Sequence, residues 1–397
     1  SYTMLANNVK CISYFWYGPV YAGTEWMWSE NSRSYQAISD TCNRAAQIDD
    51  ILGPAAMRRS RVALLYSRAT EYWHPRSSFA DKRATFLALS HRYFKPELVT
   101  DRQIISEDVL QHYDALYVLE PNVRSRAQAK IARWVRDGGL LWAASNALRF
   151  NEYNERDDLL QRLAGLERLS TKKDFEKTRR NATLESAGGE KDFAAHRVRG
   201  RWSGKVRWHG ATVRARSGDG SAAWLETEAG KGNVVYLAHR PGLTYSANAE
   251  KQGARYAWQA APRQPLVRPL LEAGIQRELV LSRSTVMASA LSTEKGTVVP
   301  LFNLTRRPIK DLKVGVKEAD KPHSVRMFDG LDLKNAPWEY RDGRVWVRIA
   351  ELDVHRGQML VIRYAPRPED NRMQTMKKRA VRHLSSEDWQ ALSAGAW

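Results

Sequence analysis

Three short apolar segments, separated by two helical patterns, limit the possible folds of this sequence more than any other feature. The segments RVALLY, ALYVL and LLWAA lie at residues 61–66, 115–119 and 140–144. They lack polar alternation, which is typical of strands that are buried on both faces. Residues 78–90 and a segment from Ser125 to Gly138-Gly139 read as helices. This β-α-β-α-β succession predicts a parallel, doubly wound sheet.

Strand patterns return in the last third of the chain. Residues 233–238 (NVVYLA) predict a central strand that returns to the same sheet. From residue 278 onward the predicted strands are short and alternate, at residues 298–301, 312–316, 324–328, 345–349 and 359–364. Turn pairs such as Asp329-Gly330 and Asp342-Gly343 separate them. This pattern favours an antiparallel β-sandwich.

The opening of the chain reads as one strand, one loop and one helix. Residues 9–17 (VKCISYFWY) are β-branched and aromatic, and a helix is predicted from about Ser32 to Ile48. One helix face is small and apolar, with Ala37, Ile38, Cys42, Ala45 and Ala46. A single strand and helix do not bury themselves. We therefore expect this opening to be the last unit of a larger domain.

Composition excludes several classes of protein. Lys and Arg number 63 against 44 Asp and Glu, a formal net charge of +19, which permits contact with polyanions. No nucleic-acid-binding motif accompanies this charge, so no nucleic-acid partner is expected. No apolar run approaches the roughly twenty residues of a spanning helix, so no membrane partner is expected either. Two cysteines and nine histidines without metal-site spacing predict no metal and no cofactor.

The segment most informative about function is YFWYGPVYAGTEWMWSE, at residues 14–30. It combines aromatic rings, two carboxylates and a glycine-rich bend after a predicted buried strand. Aromatic rings stack on the apolar faces of sugars, carboxylates bind sugar hydroxyls, and loops after barrel strands often carry such sites. The alternative is that these aromatic side chains fill a core or an interface.

This segment resembles the eighth barrel strand of glycoside hydrolase family 42, the β-galactosidases. Phe15 and Tyr17 match the aromatic positions of that family, and Gly23-Thr24-Glu25 matches its Gly-x-Glu. The sequence departs from the family where Gly18 replaces an Arg and Trp28 replaces a His. The resemblance implies that Tyr17, Glu25, Trp26 and Trp28 form a carbohydrate-binding wall.

The rest of the chain is similar to the same family in order. Residues 61–67, 113–122 and 133–155 resemble its second domain, a glutamine-amidotransferase-like fold that holds the enzyme as a homotrimer, and residues 230–245 resemble the closing strand of that fold. The resemblance implies four regions. These are the end of a truncated (β/α)8 barrel (1–57), the trimerisation domain (58–275) with a basic insertion at about 170–216, a C-terminal β-sandwich (276–366) and a basic tail (367–397).

The amidotransferase-like region lacks the residues for amidotransferase chemistry. That reaction needs a Cys on the turn after the third strand, activated by a His. The turn here reads Ala144-Ser145-Asn146-Ala147, and Ser145 lacks the G-x-S-x-G signature of serine hydrolases. We expect this region to be chemically inert. Tyr72, Trp73 and His74 either border a barrel or neighbouring subunit, or cap the sheet.

Retaining glycosidases need two carboxyl groups about 5 Å apart. In the resembled family these glutamates follow the fourth and seventh barrel strands, both before the eighth, so Glu25 and Glu30 do not match them. We expect no catalytic residue in this chain and no activity from the chain alone, with a retaining β-galactosidase as the parent protein. The alternative is a non-enzymatic carbohydrate-binding or scaffold protein that contacts an acidic glycan through the basic residues of 172–216.

Overall fold

The computed structural model describes residues 2–12, 32–74, 79–169, 182–187, 195–199, 205–252, 255–354 and 357–366. Within these ranges the chain is mixed α/β and forms five sheets, none of which closes into a barrel. The predicted mixture of α/β and all-β structure is therefore confirmed in its coarse form. Among the same residues, no helix is both long and apolar enough to cross a bilayer.

The first elements are α1 (Tyr2–Leu5), α2 (Ser32–Gln47), α3 (Asp49–Leu52) and the short strand β1 (Ala56–Met57). The observed bounds of α2 agree with the helix predicted from Ser32 to Ile48. Residues 9–12, at the start of the predicted first strand, have no regular structure, and residues 13–17 lie outside the described ranges. This part of the strand prediction is wrong.

The described residues leave the small, apolar face of α2 largely uncovered. Its members are exposed or half-buried: Ala37, Ile38, Cys42, Ala45 and Ala46. The helix contacts the rest of the chain through another side near its C-terminal end. There the buried Arg44 donates hydrogen bonds of 3.0 Å from Nη1 to the hydroxyl of Tyr2 and to the carbonyl of Gly357.

The following elements, up to residue 272, are called the α/β unit. Its first half comprises β2 (Val62–Tyr66), α4 (Arg68–Trp73), α5 (Phe79–Ser90), β3 (Glu97–Thr100), α6 (Asp101–Ser106), β4 (Ala115–Val118), α7 (Ser125–Arg136), β5 (Leu140–Ala144) and α8 (Leu159–Ala164). Its second half comprises β6 (Glu167–Leu169), β7 (Ala182–Ser186), β8 (His196–Val198), β9 (Lys205–Arg207), β10 (Thr212–Ser217), β11 (Ala222–Ala229), β12 (Gly232–Leu237), α9 (Pro241–Ala247), β13 (Glu250–Gln252), β14 (Arg255–Ala257) and α10 (Gln264–Glu272).

A nine-stranded sheet runs through the α/β unit in the order β3-β2-β4-β5-β12-β11-β10-β7-β8. The first five strands of this order pair in parallel, and the last four pair antiparallel. Four of the five parallel strands, β2, β4, β5 and β12, coincide with apolar segments of the sequence and are largely buried. The edge strand β3 does not, and its Leu98 is 61% exposed.

The basic stretch at 172–216 takes part in this sheet. Strands β7, β8 and β10 extend the antiparallel half and bury Leu184, Val198 and Ala215. From the sequence, short strands are expected in this stretch around residues 197–202 and 206–209, and β8 and β9 lie close to these positions, whereas β7 and β10 were not expected. Isolated apolar residues between many Lys and Arg form a weak sequence pattern, yet in an extended strand they lie on one face and can be buried together.

Two stacked aromatic side chains fix α10 on the parallel strands. The rings of Tyr117 on β4 and Trp142 on β5 lie 4.9 Å apart at 26°. The hydroxyl of Tyr117 donates to the carbonyl of Leu266, and Trp142 Nε1 donates to the carbonyl of Pro265 at 3.1 Å. Complete burial of such a side chain contributes about 2 kcal/mol or more, and its polar atom needs the partner that it finds here.

The remaining elements are called the β unit. They are β15 (Leu279–Leu281), β16 (Val286–Ala288), β17 (Leu291–Thr293), β18 (Gly296–Asn303), β19 (Ile309–Lys317), β20 (Ser324–Asp329), β21 (Asp332–Asn335), β22 (Trp338–Arg341), β23 (Arg344–Leu352) and β24 (Gln358–Arg363). One antiparallel sheet contains β1, β16, β17, β18, β24, β20 and β21, and another has the order β15-β19-β23-β22. Apolar side chains of both sheets share one core. The predicted turn at Asp342-Gly343 has positive φ at both residues (53° and 66°), as a type I′ hairpin requires.

The opening segment belongs structurally to the β unit. Strand β1 pairs with β17, so that Ala56 faces Ser292. Tyr2, Leu5, Ile48 and Ile51 pack in one cluster with Val298, Phe328, Met359 and Val361. Arg363 adds two hydrogen bonds to the carboxylate of Asp50, at 2.8 and 3.0 Å. The α/β unit is thus joined at both ends to one continuous body.

Candidate functional site

The sugar-binding wall expected from the sequence is not part of the described structure. Tyr17, Glu25, Trp26 and Trp28 all fall within residues 13–31, outside the described ranges. Their role stays a prediction. The described residues offer a different candidate, at the edge of the parallel sheet.

The carboxyl edge of the parallel sheet contains a topological switch point. The chain leaves β2 for β3 on one side and then crosses to β4 on the other side of β2. Open α/β sheets bind ligands in the crevice at such a point. Ser67 directly follows β2, and Glu120 lies two residues after β4. The Ser67 amide donates to Oε1 of Glu120 at 3.2 Å, so the two chain segments meet across this crevice.

A buried lysine occupies this position. Lys82 on α5 places its Nζ 2.7 Å from Oε1 of Glu120 and 3.1 Å from Oε1 of Glu71, and 4.4 Å from the centroid of the Tyr66 ring. The side chain of Glu120 is 0% exposed. Burial raises the pKa of Glu120, and the charge and hydrogen bond of Lys82 oppose this rise. The crevice is therefore filled by the ion pair of the chain itself.

Glu71 and Glu120 lie close together, as the two carboxylates of a retaining glycosidase do, but their surroundings do not suit catalysis. Both carboxylates contact the same ammonium group, so they are as close as such a pair must be. Glu120 has no exposed surface, however, and Lys82 lies between the two and neutralises them. A glycosidic bond has no access to this pair, which accordingly has a structural role.

The turn after β5 has an unusual backbone conformation at Ser145, whose carbonyl takes part in structural hydrogen bonds. Ser145 has φ +47°, and its carbonyl accepts hydrogen bonds from Arg168 Nη1 (3.1 Å) and from the hydroxyl of Tyr236 (3.0 Å). Arg168 is completely buried and pairs with Asp158. The carbonyl of Ser145 thus serves a buried polar network.

His239 lies two residues after the neighbouring strand β12, whose last residue, Leu237, pairs with Ala144 beside Ser145. Burial, and then the positive charge of His196, lower its pKa to about 3. A general base at neutral pH needs a pKa near 7. The described geometry therefore favours the expectation that Ser145 is not an activated nucleophile. Across the described ranges, no group of three or more His, Cys, Asp or Glu side chains could hold a metal ion.

Beside the crevice, three aromatic side chains point into solvent. Tyr72 and Trp73 at the end of α4 are 78% and 47% exposed, and Tyr153 is 72% exposed. Trp73 Nε1 donates to the carbonyl of Glu152 at 2.9 Å, which places these residues side by side. We call Tyr72, Trp73 and Tyr153 the aromatic patch. Since they are exposed, they do not cap the sheet.

The loop that carries Tyr153 is well fixed. Oδ1 of Asn151 accepts from the amides of Tyr153 (2.9 Å) and Glu155 (3.0 Å), and Nδ2 of Asn122 donates to the carbonyl of Asn151 (3.1 Å). Such local hydrogen bonds hold a turn without help from a core. A fixed loop that presents a large aromatic side chain to water is typical of a contact surface.

Sequence reasoning missed Lys82 and Glu120. The signal for Glu120 was present, because it is an ionisable residue directly after a fully apolar strand, in ALYVLEPN. Lys82 had no comparable signal, since a lysine in a helix is usually exposed. Its burial depends on the switch point, which follows only from the order of strands in the folded sheet.

Comparisons with known proteins show similarity at the level of the fold. No known sequence family and no curated protein matches the chain. A family 42 β-galactosidase from G. stearothermophilus has a TM-score of 0.61 at 16% identity, over 84% of this chain and 44% of its own. A β-galactosidase from Rahnella sp. R3 has a TM-score of 0.60 at 14% identity, over 83% of this chain and 44% of its own.

An α-L-fucosidase isoenzyme 2 from Paenibacillus thiaminolyticus is also similar, with a TM-score of 0.59 at 14% identity, over 85% of this chain and 52% of its own. The chain spans about half the length of these proteins or less. The predicted resemblance to a C-terminal part of family 42 glycoside hydrolases is thus confirmed for the fold. Because one fold serves several activities, the reaction does not follow from it.

Proposed function

We propose that this chain is the C-terminal, mostly non-catalytic portion of a β-galactosidase-like glycoside hydrolase that acts in carbohydrate degradation. The observation that carries the proposal is the similarity in fold to family 42 β-galactosidases over most of the chain. In such a protein the two catalytic glutamates belong to a barrel outside this sequence and perform retaining hydrolysis of a β-galactoside.

The state of the described carboxylates supports a non-catalytic role. Glu120 pairs with Lys82, Asp158 with Arg168 and Glu318 with Arg58. Each of these buried acids is held by a cation of the chain. A catalytic acid needs access to the leaving group and a nucleophile needs access to the sugar carbon.

The contribution of this chain to substrate binding is assigned to residues 14–30. The rings of Tyr17, Trp26 and Trp28 stack on the sugar, and the carboxylate of Glu25 accepts hydrogen bonds from its hydroxyls. Such contacts orient the substrate but transfer no proton and form no covalent bond. Loss of one of them should weaken binding more than it slows the chemical step.

Assembly is the second proposed role. The aromatic patch lies on the α/β unit, beside the carboxyl edge of the sheet, and consists of the residue types that are enriched at subunit contacts. We expect the parent protein to be a homo-oligomer, with a trimer expected from the resemblance, and the patch to lie in its interface.

The test compares this chain with a longer form of the protein that includes a complete barrel, on a panel of chromogenic glycosides. Turnover is expected from the longer form only. In that form, Glu25→Gln and Trp28→Ala should raise KM by about tenfold or more, since each removes a charge-assisted hydrogen bond or a stacking contact. Glu228→Gln, at an exposed position on β11, is the matched control. Turnover by the present chain alone would contradict the proposal.

A second function is favoured by basic side chains on the antiparallel half of the large sheet and on the separate two-stranded sheet of β6 and β9. Arg197, Arg207 and Arg216 on β8, β9 and β10 are exposed. A non-enzymatic protein would use them to bind an acidic glycan. Binding of a sulfated but not of a neutral glycan, lost in Arg197→Gln/Arg216→Gln, together with no turnover by the longer form, would favour this alternative.

A further inference from the structure

Three arginines converge where the α/β unit meets the β unit. Arg92 follows α5, Arg277 precedes β15 and Arg344 begins β23. Nη2 of Arg344 donates to the carbonyl of Arg277 at 2.7 Å. Burial, and then the positive charges of Arg92 and Arg344, lower the pKa of Arg277 to about 10. We call these three residues the arginine triad.

None of the three guanidinium groups forms an ion pair with a carboxylate of the described residues. The carboxylate that acts on Arg344 is that of Glu278, which is bound by Arg58 Nη1 at 3.3 Å and approached by Lys317 Nζ at 4.0 Å. Nη1 of Arg344 is buried and has no hydrogen-bond partner. Apart from Glu278 near Arg344, no carboxylate of the described residues balances these clustered cations, which is unfavourable for a fold, so their presence calls for another explanation.

A mostly apolar cavity adjoins Arg277, whereas Arg92 and Arg344 do not line it. Its volume is about 150 Å³, and both units contribute to its walls, which include Phe86, Phe94, Leu279, Met287 and Ala290. Arg277 also lines the cavity, and its guanidinium carbon lies 5.6 Å from the centroid of the Phe94 ring. A cavity of this size with apolar walls accommodates one aromatic ring or a short alkyl chain. The wall also includes two carboxylates, Glu97 and Glu278, which accept hydrogen bonds from Tyr113 and Arg58. Positive charge and apolar space therefore meet at Arg277.

We call the boundary between the α/β unit and the β unit at this cavity the seam. We propose that the seam binds a small amphipathic carboxylate, with its apolar body in the cavity and its carboxylate on Arg277. A planar guanidinium matches a carboxylate through two parallel hydrogen bonds, and Arg92 and Arg344 add to the positive potential. A purely hydrophilic anion makes no use of the cavity, and a neutral apolar molecule makes no use of the triad.

Such a ligand contacts both units at once and stabilises their relative position. This role is separate from the proposed glycosidase function, because the seam involves neither residues 14–30 nor the Lys82–Glu120 pair. Binding is measured without turnover, so its failure would leave the proposed function untouched.

Three probes separate the contributions of charge and apolar body. Benzoate has both, benzyl alcohol has the ring without the charge, and acetate has the charge without the ring. Calorimetry and thermal unfolding of the purified chain should show the strongest binding and the largest rise in Tm for benzoate. Added salt should weaken benzoate binding and leave benzyl alcohol nearly unaffected.

Substitutions assign the effect to the seam. Arg277→Gln should weaken benzoate binding about tenfold or more, as expected for a lost hydrogen bond to a charged group, and change benzyl alcohol binding less than twofold. Ser90→Leu adds apolar volume at a cavity-lining position whose hydroxyl is buried without a partner, and should weaken both ring compounds. The control is Arg341→Gln, an exposed arginine on β22.

Equal binding of benzoate and benzyl alcohol would overturn the proposal, as would unchanged benzoate binding by Arg277→Gln. No benzoate binding up to millimolar concentration would overturn it as well. If Arg277→Gln fails to fold, Arg344→Gln and Arg92→Gln should each weaken benzoate binding by a smaller factor, through the loss of positive potential alone, and unchanged benzoate binding by both would count against the site.

Discussion

The ammonium group of Lys82 lies 2.7 Å from the carboxylate of Glu120, with both side chains almost completely buried. The pair stands at the switch point of the parallel sheet, where related architectures place a ligand. In this chain the space at the switch point is occupied by the ammonium group of Lys82, a side chain of helix α5, which pairs with Glu120. The α/β unit therefore keeps the geometry of a binding fold while its crevice is closed by its own residues.

Removal of one member of this pair should destabilise the chain strongly. Lys82→Met leaves the buried carboxylate of Glu120 without its cation, which should cost about 3–5 kcal/mol in the free energy of unfolding. The double variant Lys82→Met/Glu120→Gln should be less destabilised than the single one. Urea unfolding followed by circular dichroism measures both.

A solvent-exposed ion pair is the matched control for that series. Lys130 and Asp108 approach to 2.5 Å at the surface, and Lys130→Met should leave the unfolding midpoint unchanged, since exposed pairs contribute little. Equal losses at the two lysines would mean that burial does not govern the Lys82–Glu120 pair.

Gly232 marks a close contact between β12 and the end of α7. A Cβ atom there would lie 2.1 Å from the carbonyl oxygen of Val135 and 2.3 Å from that of Gly139. Gly232→Ala should therefore lower stability by about 1–3 kcal/mol or more through overpacking. Gly218→Ala, where nothing lies within 4 Å, should be nearly neutral. Differential scanning calorimetry of both variants compares them under one set of conditions.

Asp81 should make stability depend on mildly acidic pH. Burial raises its pKa from 3.8 to about 6, although the amides of Leu243 and Gly242 and the charge of Arg240 oppose the rise. Between these values the folded chain keeps a proton that the unfolded chain has lost. Its contribution to stability is therefore present below pH 4 and is lost as the pH rises through 6, by about 3 kcal/mol.

Asp81→Asn tests this assignment because an amide oxygen still accepts the 2.9 Å hydrogen bond from the amide of Leu243. The stability of the native chain relative to this variant should fall between pH 4 and 7. A constant difference across that range would refute the shifted pKa.

His239 should act in the opposite direction. Its pKa is lowered from 6.5 to about 3, so the unfolded chain takes up a proton that the folded chain refuses. The corresponding stability is present above pH 6.5 and is lost as the pH falls toward 3. His239→Gln should lose less stability than the native chain on acidification. Urea unfolding at a series of pH values measures the difference.

The aromatic patch should govern self-association. Tyr72→Ser/Tyr153→Ser removes two exposed rings without touching the core, and should shift an oligomer toward monomers by about thirtyfold or more in the dissociation constant. Leu98→Ser, at another exposed apolar position, is the control. Light scattering after size exclusion gives the mass. An unchanged mass in the double variant would place the interface elsewhere.

Four strands of the parallel sheet, β2, β4, β5 and β12, were predictable because each is an apolar segment, as in residues 140–144, where all five side chains are buried. The edge strand β3 was not predicted, because its sequence ELVT is too short and too polar to stand out. The hairpin at Asp342-Gly343 was predictable from its turn chemistry. Strands β7 and β10 were not, because one or two buried residues in a basic segment carry too little periodicity.

The candidate functional residues also fall into two groups, those that the sequence indicated and those that only the folded structure reveals. A resemblance to a known family assigned Tyr17, Glu25, Trp26 and Trp28 a role in sugar binding, which stays a prediction. The Lys82–Glu120 pair and the arginine triad each bring together residues that are far apart in sequence and lie on different helices, strands or loops. Such pairs follow only from packing, since no local pattern distinguishes Arg277 from an ordinary surface arginine.

Strand β1 completes a sheet whose other members begin more than two hundred residues later, and Arg58, directly after β1, meets Glu278 at 3.3 Å. The chain thus leaves the β unit and returns to it at two adjacent points, and the α/β unit lies between them as an inserted domain, here called the cassette. A short linker between these points should close the host module over the gap, so that the cassette can be excised or exchanged while the surrounding fold is retained.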